Sequence, residues 1–397
     1  MDPARSTTRR GLLAGIGAAA TAATAGCVEV LPPLGSRVTV GRVDVPAADP
    51  PTYRRWIPAS SAVPGTAGVN PDNVIAARRT APGTDNGWAI TAFARQVMTG
   101  RIDWFGYGYD HYDRAVMVDD GVVLTGEVDP AVVADALDGT GYTAAGEYEG
   151  YALYARDDMP RTVAVRDGTV VWASSVGEGD TGAVVRAIAD AGAGRIEREH
   201  EANDDYAALT AATGERAANW VGPVGYDPTD EALGGAVASV ADDRGTYVVS
   251  HTLYPEGVAV PVGRIERALR GDRRAVESAR AEVTAEDRFA VVEEWFPASA
   301  TTGRDPVTFP QVTWGASHGD ATVTVRHEAG ESVDADKLEV ERSAGGESSV
   351  ADASFPGGTV EPGDSLTVPV DDATERVWLT YRPTADRSAR LFTYTLP

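Results

Sequence analysis

The chain reads as an α+β protein: antiparallel hairpins carrying helices over residues 53–300, then a C-terminal antiparallel β-sandwich. Three observations predict this. Alternating apolar and polar runs recur around short Asp-Gly and Glu-Gly turns. Between them lie segments with apolar residues at helical spacing behind aspartate caps. From Thr308 onward helical spacing disappears, and short alternating segments follow one another at the spacing of a sandwich.

The first elements are signals rather than fold. Arg9-Arg10 precedes Gly11-Leu12-Leu13 and a weakly apolar run that ends at Thr24-Ala25-Gly26-Cys27. A twin arginine before a short apolar stretch reads as a Tat export signal over residues 1–26. Small residues before the chain's one cysteine resemble the lipobox of a secreted lipoprotein, which makes Cys27 the lipidation site. The competing reading is a buried or transmembrane helix. Gly11 to Ala25 is too short for it, since a span needs about 20 apolar residues. A lone cysteine also excludes a disulfide within the chain. Prolines at 32, 33, 46, 50 and 51 mark residues 27–52 as a lipid-anchored spacer, with a first strand at Arg37–Val45 and folded sequence from Tyr53.

Residues 53–195 read as an α+β domain. Ala115–Val118 and Val122–Thr125 pair around Asp120-Gly121. Asp129 caps a helix that has Pro130 at its first position and Val132, Val133, Ala136 and Leu137 as its stripe. Two strands flank Glu149-Gly150, a hairpin turns at Asp167-Gly168, and Asp180 caps a helix to about Ala191. Residues 196–304 form a second α+β segment or domain. They hold a helix over Asp204–Asn219, a hairpin of Ala236–Val240 with Thr246–Leu253, a helix over Val262–Ala281 and a strand at Phe289–Trp295. Trp56-Ile57-Pro58-Ala59-Ser60 echoes Trp295-Phe296-Pro297-Ala298-Ser299; coincidence and internal duplication both account for it.

Residues 305–397 read as an Ig-like β-sandwich with strands at Val312–Trp314, Ala321–His327, Lys337–Arg342, Leu366–Val370, Val377–Tyr381 and Leu391–Leu396. Of the adjacent pair Trp378 and Leu379, alternation puts Leu379 inside. Thr322–Leu338, with His327-Glu328, and Phe355–Val368, with Gly363-Asp364, resemble the β-domain of haloarchaeal type IV pilin-like proteins over about residues 320–380. That resemblance implies a small extracellular β-sandwich. It does not imply a pilin, because the N-terminus carries a lipobox signal instead of a long assembly helix. In style, residues 53–300 are similar to haloarchaeal Tat-exported lipoproteins.

Charge points the same way. The formal net charge of −24 becomes −26 once Asp2, Arg5, Arg9 and Arg10 leave with residues 1–26. Self-repulsion on this scale favours a compact state only where salt screens it, over about 3 Å at 1 M against 30 Å at 0.01 M. One lysine, Lys337, stands against 34 arginines. The profile resembles surface proteins of extreme halophiles; an acidic mesophile protein from a GC-rich genome is the alternative. No basic stripe exists, so nucleic-acid binding is not expected.

Local motifs for chemistry are absent. No histidine pair has metal-ligand spacing, and there is no nucleophile elbow or P-loop, so no catalytic residue, cofactor or metal is assigned. Two clusters stand out. Asp103–Asp113 packs five aromatics with three aspartates and a histidine, which makes Asp110, His111 and Asp113 weak ligand-site candidates. The bland reading is an aromatic loop over a core edge. Glu197–Asp205 reads as the solvated face of an acidic helix, with a hard-cation site on Glu197, His200 and Glu201 as the sharper alternative. His327-Glu328 reads as a strand-end pair.

The expected function is therefore a lipid-anchored surface protein with a non-enzymatic structural or interaction role. Its expected partners are the membrane through Cys27, the Tat translocase during export and a cell-surface protein. The alternatives are a ligand-binding lipoprotein and an extracellular carboxylate-dependent hydrolase. A deep cleft with converging carboxylates would favour these alternatives, and a closed body the first. Cys27→Ser is expected to release the protein into the medium or leave it unprocessed. Arg9→Lys with Arg10→Lys is expected to impair export, because lysine does not reproduce paired guanidinium groups. Fractionation and mass measurement check both: a Cys27→Ser protein still membrane-bound at the mature wild-type mass refutes the anchor.

Overall fold

A computed structural model describes residues 39–40, 42–63, 73–79, 102–175, 179–222, 230–271, 280–298, 309–384 and 387–396. Arg9, Arg10, Cys27 and residues 272–279 of the helix expected over Val262–Ala281 lie outside the described residues. Residues Val38–Pro397 form one compact unit.

The chain enters through β1 (Thr39–Val40), β2 (Val74–Arg78) and the hairpin β3 (Tyr112–Val118)–β4 (Gly121–Gly126). Helix α1 (Pro130–Leu137) follows, then β5 (Tyr142–Tyr148), β6 (Tyr151–Arg156), β7 (Arg161–Arg166) and β8 (Thr169–Ser174). Next come α2 (Thr181–Ala193), α3 (Glu199–Ala202), α4 (Asp204–Thr213) and β9 (Ala218–Gly222). The hairpin β10 (Gly234–Asp242)–β11 (Gly245–Leu253), α5 (Val262–Gly271), β12 (Arg280–Glu286) and β13 (Phe289–Pro297) complete this part. Among the described residues these thirteen strands form one sheet in the order β1-β12-β13-β11-β10-β9-β2-β3-β4-β8-β7-β6-β5. All pairings are antiparallel except β1 with β12. Segments 53–195 and 196–304 thus share a sheet, joined where β2 pairs with β9.

Alternation sorts the apolar residues onto two covered faces. Val116, Val118, Val171 and Ala173 pack under α2 and α4, together with Tyr53 and Trp56. Their neighbours Ala115, Val122, Val170 and Trp172 pack under α1. Register carries the second face across the sheet: Ile75 lies opposite Trp220, then Val237, Ser250 and Val292. Val292 meets Ile265 and Leu269 of α5. With both faces covered, every residue of β11 is buried.

The aspartate caps hold as read. Asp129 accepts from the Ala131 N–H and Asp180 from the Ala183 N–H. Glu149 and Gly150 both take positive φ, the twist a two-residue hairpin needs. Other readings need correction. The helix expected to Asn219 stops at Thr213, because Gly214 leaves helical backbone and residues 218–222 are taken by the sheet. Arg280 and Ala281 are strand, not helix. The turn expected at Asp120-Gly121 is Asp119-Asp120, with Asp119 at φ 52. Gly121 is needed for a different reason: a Cβ there would overlap Ile188 of α2. Val132 is exposed at 37% rather than in the stripe. Residues 39–52 are not all spacer, since Val43 is buried with its N–H on Glu282 and Asp49 bridges to Glu215. β2 and β9, central to the sheet, were not anticipated.

The C-terminal part holds β14 (Val312–Gly319), β15 (Thr322–Gly330), β16 (Val333–Asp334), β17 (Leu338–Ala344), β18 (Glu347–Val350), β19 (Thr359–Val360), β20 (Ser365–Pro369), β21 (Thr374–Thr384) and β22 (Arg387–Thr395). They pair as β14-β15-β20, β16-β19 and β18-β17-β21-β22. Val323, Val325 and Val368 share a core with Val340, Val377 and Leu379. Leu379 is the buried partner in that core. Trp378 faces the other way, donating its indole N–H to Glu341 beneath the Arg390 guanidinium.

One buried ion pair, and a second whose arginine also reaches a C-terminal carbonyl, join these sheets to the large one. Arg156, with a fully buried side chain, donates to Glu328 on β15 at 2.8 Å and forks onto Asp158. Burial works against the Arg156 charge, but the bonds to Asp158 and Glu328 outweigh it and raise its pKa above the usual value. A Cβ on Gly141 would overlap the guanidinium, and one on Gly315 would overlap the Glu328 carboxylate. Arg161 donates to Asp103 at 2.7 Å and to the Trp314 carbonyl. Asp103 also accepts from Tyr142, which accepts from Trp172.

Removing one member of a buried pair strands the other charge, at a cost of about 3–5 kcal/mol. Arg156→Met is expected to lower stability by that order, and Arg156→Met with Glu328→Met to recover most of it. Denaturant midpoints of the two variants check this; equal losses would show that Glu328 is not buried against Arg156.

A candidate binding cleft between two sheets

The junction leaves a cleft of about 650 Å³ between the large sheet and β21–β22. On the large-sheet side, the β3–β4 turn supplies Asp119 and Asp120, and Met117, Val122 and Trp172 supply apolar surface. The Asp120 carbonyl accepts from the Ser174 N–H, which ties the turn to the end of β8. The β6–β7 link adds Met159, whose buried side chain reaches the C-terminal core. Its neighbour Asp158 is held by Arg156 at 2.7 Å. On the opposite side lie Arg376, Arg390, and Leu391 to Leu396 of β22 and just beyond it.

The electrostatics are asymmetric. Arg161 and Asp158 have partners, Asp103 and Arg156 respectively. Among the described residues, no carboxylate forms an ion pair with Arg376 or Arg390, and Asp119 and Asp120 have no cationic partner. Burial, and then the neighbouring Asp119, push the Asp120 carboxyl up to about 6. Asp119 is also raised by burial. An apolar floor with a few charged groups and a perturbed carboxylate is the usual composition of a ligand site.

The sequence-predicted candidates are not in this cleft. The Asp110 side chain lies outside the described residues. His111 stacks on Tyr107, with centroids 4.2 Å apart, and its Nε2 meets the Glu127 carbonyl at 2.5 Å. Asp113 pairs with Arg79 at the surface. Among the described residues no three His, Cys, Asp or Glu groups come together as metal ligands. The second cluster also resolves structurally. Glu199 is buried and accepts from the Ser60 N–H and Asn203, while Glu201 caps α3 through Arg198. Glu197 lies before the helix, so it shares no helical face with Glu201. The open groove beside them, about 700 Å³, has its Arg288 already on Asp205. His327 and Glu328 are not a strand-end pair. His327 is fully buried against Trp314, and Glu328 serves the Arg156 junction.

Sequence reasoning missed Asp119, Asp120, Arg376 and Arg390. The signal available was an Asp-Asp hairpin tip without glycine at its first positions, and arginines at outward strand positions.

No family model and no curated protein matches the chain. Among solved structures, crystal form I of TP0453 matches at TM-score 0.38 and 10% identity, covering 60% of this chain and 95% of that one. Crystal form IV gives 0.38 and 10%, with 61% and 95% covered, and form III 0.36 and 9%, with 61% and 97%. TM-scores below 0.5 do not establish a shared arrangement of elements, so these matches assign neither a ligand nor an activity.

The raised carboxyl predicts a pH effect. A folded-state pKa above the unfolded value means the ionised form is disfavoured by folding, so Asp120 costs stability as pH rises through about 6. Asp120→Asn is expected to melt above wild type at pH 7.5, with the gap narrowing as pH falls from about 6 and closing below the unfolded carboxyl's 3.8, where both states are protonated. A gap independent of pH would refute the shift.

Proposed function

We propose that this is an exported, lipid-anchored, non-enzymatic surface protein that holds a small ligand or partner segment in the cleft between its sheets. The single observation that carries the binding role is that cleft, with its apolar floor and unneutralised charges on facing walls. The address rests on sequence: Arg9-Arg10 for Tat export and Cys27 for lipid attachment at the outer membrane face. The membrane and the translocase are the partners this implies.

The C-terminal sheets are read as a sandwich because Val323 and Val368 of one and Val340 and Leu379 of the other meet in a shared core. This agrees with the resemblance to haloarchaeal pilin-like β-domains. The acidic, lysine-poor composition supports a salt-requiring surface protein.

A carboxylate-dependent hydrolase is the weaker reading. Asp158 is committed to Arg156, and Asp119 and Asp120 are adjacent on one turn rather than set on either side of a bond to be cleaved. Among the described lining residues there is no histidine.

Among the described residues no helix is long and apolar enough to cross a membrane. Binding is measured on the chain without its first 26 residues, in molar salt. The neutral fluorophore N-phenyl-1-naphthylamine is expected to bind with enhanced emission. Met117→Trp, which fills the floor, is expected to weaken it at least tenfold. No binding to the wild-type protein would sink the cleft as a ligand site.

A further inference from the structure

The cleft floor and its nearest charges indicate the chemical class of the occupant; this step rests on the binding role proposed above. The floor is a row set by strand register. Met117 lies opposite Val122, and Val122 opposite Trp172. All three line the cleft. The Trp172 indole is held in place, since its N–H donates to the Tyr142 hydroxyl, which itself donates to Asp103.

The turn that ends this row carries the carboxylates. Asp119 is two residues beyond Met117, and Asp120 two residues before Val122, so the charges begin about 7 Å from the apolar row. Ile188 of α2 packs where a Cβ on Gly121 would lie, and the Asp120 carbonyl accepts from the Ser174 N–H, so the turn is anchored on both sides. Asp120 is half-buried, and among the described residues no cation pairs with it or with Asp119. Burial and the neighbouring Asp119 both disfavour its ionised form. An ammonium placed against the turn would offset both effects.

The other charges of the cleft do not compete for this role. Arg161 and Asp158 are already paired, with Asp103 and Arg156. Arg376 and Arg390 are exposed, so water solvates their guanidiniums, and Arg390 also lies 4.1 Å over the Trp378 ring. They need no ligand to be satisfied, and they would repel a second cation on the ligand. The half-buried carboxylate beside the apolar row is the group that gains from an occupant.

We propose that the cleft takes a monovalent organic cation, an amine on an aromatic or branched apolar body. Its ammonium sits at Asp120 and Asp119, and its body on the row of Met117, Val122 and Trp172.

Calorimetric titration in molar salt tests this with probes that share one apolar body: 2-(1-naphthyl)ethylamine as the cation and 1-naphthaleneacetate as the anion. Pairs at a part-buried carboxylate are screened less by salt than exposed ones. The amine is expected to bind at least tenfold more tightly than the acid. Asp119→Asn with Asp120→Asn is expected to bring the two affinities within about threefold of each other. Asparagine tolerates the positive φ at position 119, and circular dichroism checks that the variant is folded. Both probes stay ionised between pH 7.5 and 5, whereas Asp120 takes up its proton at about 6. The preference for the amine is therefore expected to shrink at least threefold over that range. Equal affinities, or tighter binding of the acid, overturn the cation. A preference that survives the double substitution or ignores pH overturns its placement at the turn. Binding of N-phenyl-1-naphthylamine without binding of the amine overturns this inference and leaves the cleft standing. Binding of none of the three overturns both.

Discussion

The junction at Arg156 is the constraint on which the rest of the molecule depends. A guanidinium buried without a partner is not tolerable, and this one is fully enclosed. Its partners come from two places: Asp158 from its own strand end and Glu328 from β15. The C-terminal sheets therefore have one position in which Arg156 is satisfied. Gly141 and Gly315 have no side chain where the guanidinium and carboxylate pass, so the sequence leaves space for the pair from both sides. Arg161, Asp103, Tyr142 and Trp172 repeat the logic one step away as a chain of hydrogen bonds. Such pairs add little net stability over apolar groups of the same shape, whereas losing one partner strands the other charge.

The large sheet imposes the second condition. Its centre is the β2–β9 pairing, made by two short strands that are distant in sequence. Glu215, just ahead of β9, is buried and gathers Arg78, Arg114 and the Thr52 N–H and hydroxyl. This draws the entry of the chain, the β2 strand and the β3 hairpin to one point. Helices then cover both faces, which explains why β11 reads as a continuously buried strand despite being antiparallel.

The cleft is a consequence of these two conditions. Fixing the C-terminal sheets through Arg156 and Arg161 sets β22 beside the β3–β4 turn, and α2 behind Gly121 fixes the turn itself. The walls belong to paired strands, and the charged groups without ion-pair partners among the described residues are short turn carboxylates and long arginines. A site built this way is preorganised in its backbone and carries its charge on side chains that can adjust.

How much was legible in the sequence depends on the range over which each feature is determined. The hairpins at Glu149-Gly150 and Asp167-Gly168, the caps at Asp129 and Asp180 and the inward Leu379 are set by neighbours within a few residues. Alternation and turn chemistry therefore predicted them. Asp204–Asn219 was overextended because Ala218 to Gly222 has no local strand signal; it is a strand only because β2 and β10 lie on either side. The candidate cluster at Asp110, His111 and Asp113 was conspicuous by composition, yet His111 and Asp113 are engaged by Tyr107, Glu127 and Arg79. Sequence by itself determined the α+β character, the elements held by local capping and turns, and the net charge, and it holds the twin arginine and the lone cysteine on which the export and lipidation proposal rests. Tertiary structure alone decided the single large sheet, the Arg156 junction and the cleft, because each joins residues whose charges and backbone edges meet only after the chain has closed over more than a hundred positions.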